Sequence, residues 1–361
     1  MQSAESPFFS LIVPCCNVGK YVDELVDSVV GQSFSDWECI LFVETSQDDT
    51  LDRCQCAERR DARFKVLTGP RSGSASIPRN KGLAAARGRY VVWIDGDDKL
   101  VEGALDRIAK DVHRADEPDI IHYAANQREE DADGRVVRMS RIFSFPEAEN
   151  GRMLTGEEAM CAIVRPNPHF YPVPWLMAIR VDFLRENGLE FLPRIRYEDL
   201  EWMPRVLYAA RRVFVDNTVC YLYRHRYGSV TRRDFTSREL ACLVVVFRSL
   251  FNFFVTHAFT RRLATAWARG ILSPFFSYFF APKRFACINM LAWSVCIRCL
   301  LRNRGWVNFV KLARFAGLPK KVAVPLVLMC GLHPALGWPA RAYFRYFYYP
   351  LVMRQVKRRG S

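Results

Sequence analysis

Three carboxylates stand within four residues in Asp95-Gly96-Asp97-Asp98, immediately after the apolar run Tyr90–Ile94. Like charges this close repel one another, so the segment needs a cation or a hydrogen-bonding partner. Aspartate oxygens are hard ligands that suit Mg2+ or Mn2+, and phosphate oxygens can complete the coordination of such an ion. The spacing therefore predicts a divalent-cation site for a phosphorylated ligand. The alternative interpretation is an acidic turn that caps the following helix.

Short apolar runs alternate with helical patterns through residues 8–125. Continuous apolar strands separated by helices indicate a mostly parallel sheet that is covered on both faces. Ligands bind beyond the carboxyl ends of the strands in such sheets, so the acidic cluster lies at the predicted binding edge. The charged stretch Gln127–Ser140 predicts an exposed hairpin or loop. Strands are predicted at Phe8–Pro14, Trp37–Val43, Phe64–Leu67, Tyr90–Asp95 and Ile120–Ala125, and helices at Asn17–Val30, Thr50–Arg60, Pro78–Ala86 and Gly103–Ala115.

Other motifs surround the acidic cluster in a fixed order along the chain. They are Val13-Pro-Cys-Cys-Asn17, Glu44-Thr-Ser-Gln-Asp-Asp-Thr50, Pro78-Arg-Asn-Lys-Gly82, Ala86-Arg-Gly-Arg-Tyr90, Trp93-Ile-Asp-Gly-Asp-Asp98, Trp175–Leu184, Tyr197-Glu-Asp199 and Tyr221–Thr231. In this order and spacing the chain resembles the inverting family-2 glycosyltransferases with the GT-A fold. That family shows I-P-x-Y-N, D-D-x-S-x-D, A-R-N-x-G, A-x-G-x-Y and L-D-x-D-D, then an E-D pair and Y-x-Y-R-x-R-x-G-S. The resemblance covers residues 8 to 231.

The resemblance implies a role for each matching residue. Asp199 would be the general base and Glu198 its neighbour, and the single displacement would invert the sugar. A Mg2+ or Mn2+ cofactor would be held by Asp97, with Asp95 or Asp98 beside it. Trp175 would lie on the acceptor side. The implied donor-binding residues are Pro14, Asn17, Glu44, Arg79, Asp95, Asp97 and Arg226.

Three of these assignments have a simpler alternative. Arginine forms bidentate contacts with phosphate, which makes Arg79 and Arg226 candidate partners of a diphosphate. Either could instead form a surface ion pair. The Glu198-Asp199 pair could be a plain helix N-terminus, which acidic side chains stabilise through the helix dipole.

Two positions depart from the family pattern. The D-D pair that follows the second strand aligns with Val43-Glu44, so a carboxylate that contacts the nucleobase must be Glu44, which is one methylene longer than Asp. The Tyr that usually precedes the first Asn is Cys16 here. The nucleobase therefore stays open, with a UDP-sugar as the default donor.

The chain changes in composition after Glu239, its last acidic residue. Residues 241–361 carry 19 of the 52 Lys and Arg residues and none of the 38 Asp and Glu residues. Basic, aromatic and aliphatic residues together are typical of a segment that lies at an anionic membrane surface. The segment 322–340 is uncharged but interrupted by Pro and Gly, which favours an interfacial or re-entrant segment over a span. Nucleic-acid binding is disfavoured, because the aliphatic content is too high.

The sequence thus predicts an α/β, GT-A-like catalytic domain at residues 1–235 and a basic, aromatic, α-helical membrane-associating region at 236–361. A membrane-apposed enzyme of this type commonly uses a lipid-linked glycan acceptor, as in cell-envelope polysaccharide synthesis. The N-terminus lacks the basic start of a signal peptide, which favours the cytoplasmic face of the cell membrane. The alternatives are a sugar nucleotidyltransferase, whose Gly-rich phosphate loop is missing, and a non-catalytic membrane-bound scaffold derived from a glycosyltransferase.

Overall fold

The computed structural model describes residues 6–131, 133–142, 145–164, 173–226 and 237–267. The interpretations of residues 268–361, including the segment 322–340, lie outside these residues. The part of the Tyr221–Thr231 motif that follows Arg226 lies outside them as well.

Strands and helices alternate along the first part of the chain, as predicted, and their bounds differ from the predicted ones by a few residues. The strands are β1 (Phe9–Cys15), β2 (Trp37–Glu44), β3 (Phe64–Gly69), β4 (Tyr90–Trp93), β5 (Lys99–Leu100), β6 (Ile120–Glu130), β7 (Val136–Ile142), β8 (Met153–Leu154), β9 (Met177–Arg180) and β10 (Val213–His225). The helices are α1 (Gly19–Val30), α2 (Thr50–Arg60), α3 (Ser76–Ala85), α4 (Ala104–Arg114), α5 (Gly156–Val164), α6 (Val181–Glu186), α7 (Glu198–Ala209), α8 (Ser237–Thr256) and α9 (Arg261–Trp267).

The strands form one sheet in the order β3-β2-β1-β4-β9-β6-β10-β5, with β7 on β6 and β8 on β10. β3, β2, β1 and β4 run parallel to one another, and β6 runs parallel to β10. β9 is antiparallel to both of its neighbours, β4 and β6. The prediction of a mostly parallel sheet is therefore confirmed, and the charged stretch Gln127–Ser140 forms the predicted hairpin between β6 and β7.

Apolar side chains cover both faces of the sheet. On β1, Leu11 and Val13 pack on one face with α1, α2 and α4. Ile12 packs on the other face, together with α3 and α5–α9. Alternation along a strand sends successive side chains to opposite faces, so an uninterrupted apolar run is what a strand buried on both sides requires. This two-sided core fixes the carboxyl ends of β1, β2 and β4, where the predicted site residues lie.

α8 and α9 pack against the same core as the catalytic sheet. Cys242, Val246 and Leu250 of α8, and Leu263 and Trp267 of α9, belong to the cluster that α5–α7 form. The described residues 237–267 therefore share an apolar core with α5–α7. The division at residue 235 stays a prediction, as does membrane association. Within the described ranges, no helix is both long and apolar enough to cross a membrane.

Candidate active site

The acidic turn Asp95–Asp98 lies between β4 and the short strand β5. It runs beside the end of β1, because a Cβ atom at Gly96 would meet the carbonyl oxygen of Pro14 at 2.8 Å. Only glycine allows this close approach without a shift of the backbone. β5 then pairs with β10, where Leu100 lies opposite Tyr221. The turn is therefore enclosed by β1, β4 and β10.

Asp95 and Asp97 each form an ion pair with one of the two predicted arginines. Nη2 of Arg79 donates to Oδ1 of Asp95 at 2.8 Å, and Nε of Arg226 donates to Oδ2 of Asp97 at 2.8 Å. Burial raises the pKa of Asp97, and Asp95 adds to this, while Arg226 opposes it. Among the described residues, these bonds use one oxygen of each carboxylate, so the second oxygen of Asp95 and of Asp97 can serve a ligand.

Asp98 is buried, and its partners differ from the arginines that bind the carboxylates of Asp95 and Asp97. The hydroxyl of Tyr221 donates to its Oδ2 at 2.7 Å, and the backbone N–H of Arg224 donates to its Oδ1 at 2.6 Å. Burial raises the pKa of Asp98 well above its usual range, and the carboxylates of Asp97 and Asp95 add to that effect. Protein donors thus engage both oxygens of this side chain.

A metal site is not preformed in the part of the chain that the structure describes: no three His, Cys, Asp or Glu side chains there are grouped to hold an ion. The reason is that Asp95, Asp97 and Asp98 turn to three different partners. Asp95 and Asp97 fit a divalent ion whose remaining ligands come from a diphosphate, because each keeps an oxygen available. Asp98 fits this role poorly, since a metal would have to displace two hydrogen bonds.

The carboxylates of Glu198 and Asp199 lie at the first turn of α7. The residue before them, Tyr197, has φ 62°, a left-handed conformation that is strained for a bulky side chain and is typical of functional sites. Oδ1 of Asp199 accepts a 2.8 Å hydrogen bond from the backbone N–H of Leu200. Burial raises the pKa of Glu198 to about 7 and that of Asp199 to about 6, although Arg79 opposes both shifts.

Arg79 joins the acidic turn to this pair. Its Nη1 donates to Oε1 of Glu198 at 3.0 Å while its Nη2 holds Asp95. The Arg79 side chain is buried, and its Nε has no partner among the described residues. Its ion pairs are therefore buried ones that fix two acidic groups relative to each other, rather than the exposed pair that sequence reasoning left open.

The loops after β1 and β2 interlock beside the turn. Asn17 has φ 53°, and its Oδ1 accepts a 2.7 Å hydrogen bond from the N–H of Gln47. The N–H of Asn17 donates to the hydroxyl of Ser46 at 3.1 Å. Glu44 is buried, and its Oε1 accepts hydrogen bonds from the N–H (3.1 Å) and hydroxyl (2.5 Å) of Ser72. Ser72 thus fixes the carboxylate that is predicted to contact the nucleobase.

Several supporting residues were missed from the sequence. Ser46 and Asp48 match the S and final D of the family's D-D-x-S-x-D turn, so the motif itself could have identified them. Asp48 accepts a 3.0 Å hydrogen bond from the N–H of Gly19 at the start of α1. Ser72, by contrast, lies in no motif, and its contact with Glu44 spans 28 residues of the chain.

Trp175 lies behind the turn rather than on an open wall. Its indole is only 3% exposed and stacks on Tyr221 at 4.6 Å and on Tyr223 at 5.3 Å, measured between ring centroids. This position supports Tyr221, which in turn holds Asp98. Direct contact between Trp175 and an acceptor stays a prediction.

The fold and the site define an α/β enzyme of GT-A-like architecture. Residues 10–187 match the family model "Glycosyl transferase family 2". The chain is 26% identical over 242 residues to the glycosyltransferase GlyG of Streptococcus pneumoniae, covering 67% of this chain and 79% of GlyG. It is 31% identical over 97 residues to the UDP-Glc:alpha-D-GlcNAc-diphosphoundecaprenol beta-1,3-glucosyltransferase of Escherichia coli, covering 27% of this chain and 38% of that enzyme.

A solved structure shares the fold. The crystal structure of S. aureus TarS 1-349 in complex with UDP-GlcNAc superposes with a TM-score of 0.63 at 20% identity, over 92% of this chain and 87% of that one. Residues 10–187 therefore form a family 2 glycosyltransferase domain, and the protein is a glycosyltransferase that is similar to bacterial glycosyltransferases. The resemblance found in the sequence motifs is confirmed.

Proposed function

We propose that this protein transfers a sugar, with inversion and divalent-metal assistance, from a nucleoside diphosphate sugar to a hydroxyl of a lipid-linked glycan in cell-envelope polysaccharide synthesis. The observation that carries the proposal is the bridge Asp95–Arg79–Glu198. The buried guanidinium of Arg79 binds Asp95 of the acidic turn at 2.8 Å with one nitrogen and Glu198 of the acidic pair at 3.0 Å with another. A transferase needs these two functions side by side, because the leaving diphosphate and the attacking hydroxyl lie on opposite sides of one sugar carbon.

The donor would bind along the ends of β1, β2 and β4. Glu44, fixed by Ser72, would accept a hydrogen bond from the nucleobase, and Pro14 and Asn17 would line the same edge. Arg226 binds Asp97 and is partly exposed, so its guanidinium could also bind a diphosphate. Arg79 would act on the donor through Asp95, since its guanidinium is already engaged by two carboxylates.

Asp97 and Asp95 would hold Mg2+ or Mn2+ through their available oxygens. The ion, when bound, would neutralise charge on the leaving diphosphate. Asp98 would instead shape the turn from below, through its bonds with Tyr221 and Arg224. The ion pairs with Arg79 and Arg226 offset the mutual repulsion of the carboxylates when no ion is present.

Asp199 would act as the general base. A pKa of about 6 leaves its carboxylate ionised near neutral pH while keeping it basic enough to accept a proton from an acceptor hydroxyl. Glu198, bound to Arg79, would orient the pair. A single base and no protein nucleophile correspond to one direct displacement, which inverts the configuration of the sugar.

The acceptor and the location rest on two supports. The Escherichia coli relative is named for an acceptor linked to diphosphoundecaprenol, and the basic, acid-free composition of residues 241–361 suits an anionic membrane surface. We therefore place the protein at the cytoplasmic face of the cell membrane, as a peripheral or monotopic enzyme. Trp175 would shape the acceptor side through Tyr221 and Tyr223.

A donor screen tests the proposal. Full-length protein is incubated with UDP-, GDP-, CDP- and dTDP-sugars, with Mn2+ or with EDTA, and release of the nucleoside diphosphate is measured. We expect metal-dependent release from one donor class, and loss of that release in Asp199→Asn. Nucleotide binding without release by the wild-type protein would favour the non-catalytic scaffold, and absence of both would refute the proposal.

A further inference from the structure

The acidic turn has a second set of supports on β10, Tyr221 and Arg224, which belong to the closing Y-x-Y-R-x-R-x-G-S motif but to which the resemblance gave no role. Tyr221 lies opposite Leu100 in the antiparallel pairing of β10 with β5, directly after the turn. The Tyr221 hydroxyl accepts a 3.0 Å hydrogen bond from the N–H of Asp95 and donates to Oδ2 of Asp98. One hydroxyl therefore ties the first and last residues of the turn together from within the core.

Arg224 holds the same turn from its other side. Its backbone N–H donates to Oδ1 of Asp98, and its Nε donates to the carbonyl oxygen of Asp97 at 2.9 Å. Its two Nη atoms donate to Oε1 of Glu130, at 2.8 Å, and to Glu24. All three nitrogens of the guanidinium are thus engaged. Nε binds the peptide of Asp97, and the two Nη atoms bind carboxylates on β6 and α1.

The negative charge of Glu24, one of the two carboxylates that bind Arg224, is also balanced by a second cation. Glu24 also accepts a 2.5 Å hydrogen bond from Nζ of Lys99, and these cations lower the pKa of Glu24 against its partial burial. The guanidinium carbon of Arg224 lies 4.7 Å from the ring centroid of Tyr21, and that of Arg226 lies 5.2 Å from the same ring. The two arginines therefore lie beside one α1 residue.

The two arginines contact different parts of one aspartate. Arg226 binds the carboxylate of Asp97 and is partly exposed, whereas Arg224 binds the carbonyl of Asp97 and is buried. A donor can compete for Arg226, but it cannot reach Arg224 without displacing the core. We propose that Arg224 and Tyr221 are positioning residues, which set the backbone of the turn so that Asp97 faces the diphosphate and its ion. This inference rests on the proposed function.

Nucleotide binding by full-length protein tests this inference. UDP, GDP, CDP and dTDP are titrated calorimetrically into wild type with Mn2+, and the tightest is then used with each variant, with Mn2+ and with EDTA. We expect Arg224→Met and Arg224→Lys to weaken binding in Mn2+ by at least about tenfold, the order of a lost charged hydrogen bond, and to change binding in EDTA by less than about twofold. Lysine keeps the charge but not the fork that reaches three partners.

Two further variants separate positioning from general effects. Tyr221→Phe keeps the ring that stacks on Trp175 but removes both hydrogen bonds to the turn, so it should weaken binding in the same direction as the Arg224 variants. Arg128→Met is the matched control, because Arg128 pairs with Glu24 and Glu130, the anchors of Arg224. Within the described residues, its side chain forms no hydrogen bond or ion pair with the turn. It should bind within about twofold of wild type.

A second readout excludes a merely structural role. The acid limb of the kcat profile reports the base, so its midpoint should stay unchanged in Arg224→Lys while the donor KM rises. Wild-type affinity in folded Arg224→Lys and Tyr221→Phe would overturn the inference, as would equal losses in Arg128→Met. If Arg224→Met fails to fold, the other two variants decide. Failure of wild type to bind any of the four nucleotides would instead refute the proposed function itself.

Discussion

The acidic turn Asp95–Asp98 and the Glu198–Asp199 pair are both clusters of partly or fully buried carboxylates, and the protein stabilises them differently. Each carboxylate of the turn is bound by an arginine or by two neutral donors. Asp199 has a backbone N–H as its described partner, and its pKa rises to about 6. Every carboxylate of the turn thus has a charged partner or two donors, whereas Asp199 has a single neutral donor among the described residues, which suits the proton exchange that we propose for it.

The largest expected effect comes from the turn. Asp97→Asn should abolish metal-dependent turnover, because the amide cannot supply a charged oxygen to the ion and loses the ion pair with Arg226. Donor turnover in Mn2+ and in EDTA, with a melting curve to verify the fold, measures this. Asp182→Asn, at an exposed carboxylate of α6, is the matched control, and we expect it to retain metal dependence. Near wild-type activity of Asp97→Asn in metal-free buffer would show that the metal assignment is wrong.

The second-largest effect concerns the support of the Glu198–Asp199 pair by α8. Arg196, two residues before Glu198, pairs with Glu239 of α8, and Ser249 donates to Glu201 of α7 at 2.7 Å. A fragment ending at residue 235 should melt at least about 10 °C below one ending at residue 267. Each buried apolar side chain lost from α8 and α9 contributes roughly 1.5–3 kcal/mol, and 1 kcal/mol shifts the melting temperature by about 2–4 °C at this size.

The full chain and the fragment ending at residue 267 together test the membrane assignment. Flotation with anionic vesicles should recover the full chain but not the fragment ending at residue 267, and high salt should weaken attachment only partly, because apolar insertion is not screened. Complete release by salt would mean that attachment is electrostatic only. Equal melting temperatures of the fragments ending at residues 235 and 267 would support the predicted boundary at residue 235.

The sequence predicted the strands of the first 125 residues and a helical region after residue 235, but it did not predict that α8 and α9 pack on the core of the catalytic sheet. An apolar run such as Trp37–Val43 has few alternatives to a buried strand, so composition and length identify it. The apolar residues of α8, such as Val246 and Leu250, are equally consistent with a membrane surface and with a protein core. Only the presence of α7 against them distinguishes the two, and that contact is between segments far apart in the chain.

The site shows the same limit. The motif order predicted Asp97, Asp199 and Arg79 as site residues, since family resemblance transfers residue types and positions. It did not reveal that Arg79 joins Asp95 to Glu198, because that bridge spans 119 residues and depends on the packing of α3 against α7. Likewise, the buried position of Trp175 depends on stacking with β10, which a single tryptophan in the sequence does not encode.

The next prediction probes the base. Asp199→Asn should lower the transfer rate by at least about a hundredfold, the usual contribution of a general base, while donor affinity stays nearly unchanged. Single-turnover kinetics and nucleotide titration measure the two quantities separately. Asp182→Asn, an exposed carboxylate in the first turn of α6, is the matched control. A parallel collapse of donor affinity would assign Asp199 to the donor side instead.

The raised pKa values predict opposite pH dependences for activity and stability. Transfer should fall about tenfold per pH unit below about pH 6, because protonation removes the base. Stability should change the other way: the folded state binds protons on Asp199 and Glu198 that the unfolded chain releases, so this contribution is present at low pH and is lost as pH rises towards 6–7. The kcat profile and melting curves from pH 4.5 to 8 measure both, and Asp199→Asn should flatten the Asp199 part of the stability curve.

The smallest expected effect lies at the nucleobase edge. Glu44 is held there by hydrogen bonds from Ser72, as the carboxylates of the acidic turn are held by their own partners. The Glu44 carboxylate is an acceptor whose Oε1 is held by Ser72, so at a ring nitrogen it favours a base with an N–H, such as uracil at N3 or guanine at N1, over cytosine, whose N3 carries no hydrogen. Ser72→Ala should weaken nucleotide binding about threefold, as expected for one neutral hydrogen bond, and should narrow the difference between UDP and CDP. Competition binding with UDP, GDP, CDP and dTDP measures both changes. Ser140→Ala, a serine of β7 in the hairpin, controls for hydroxyl loss as such.

The donor need not be a uridine sugar, because Glu44 reaches one methylene further than the family's Asp and Cys16 replaces its usual Tyr. A clear preference for UDP would show that both departures are tolerated, and an unchanged preference in Ser72→Ala would show that Glu44 does not select the base.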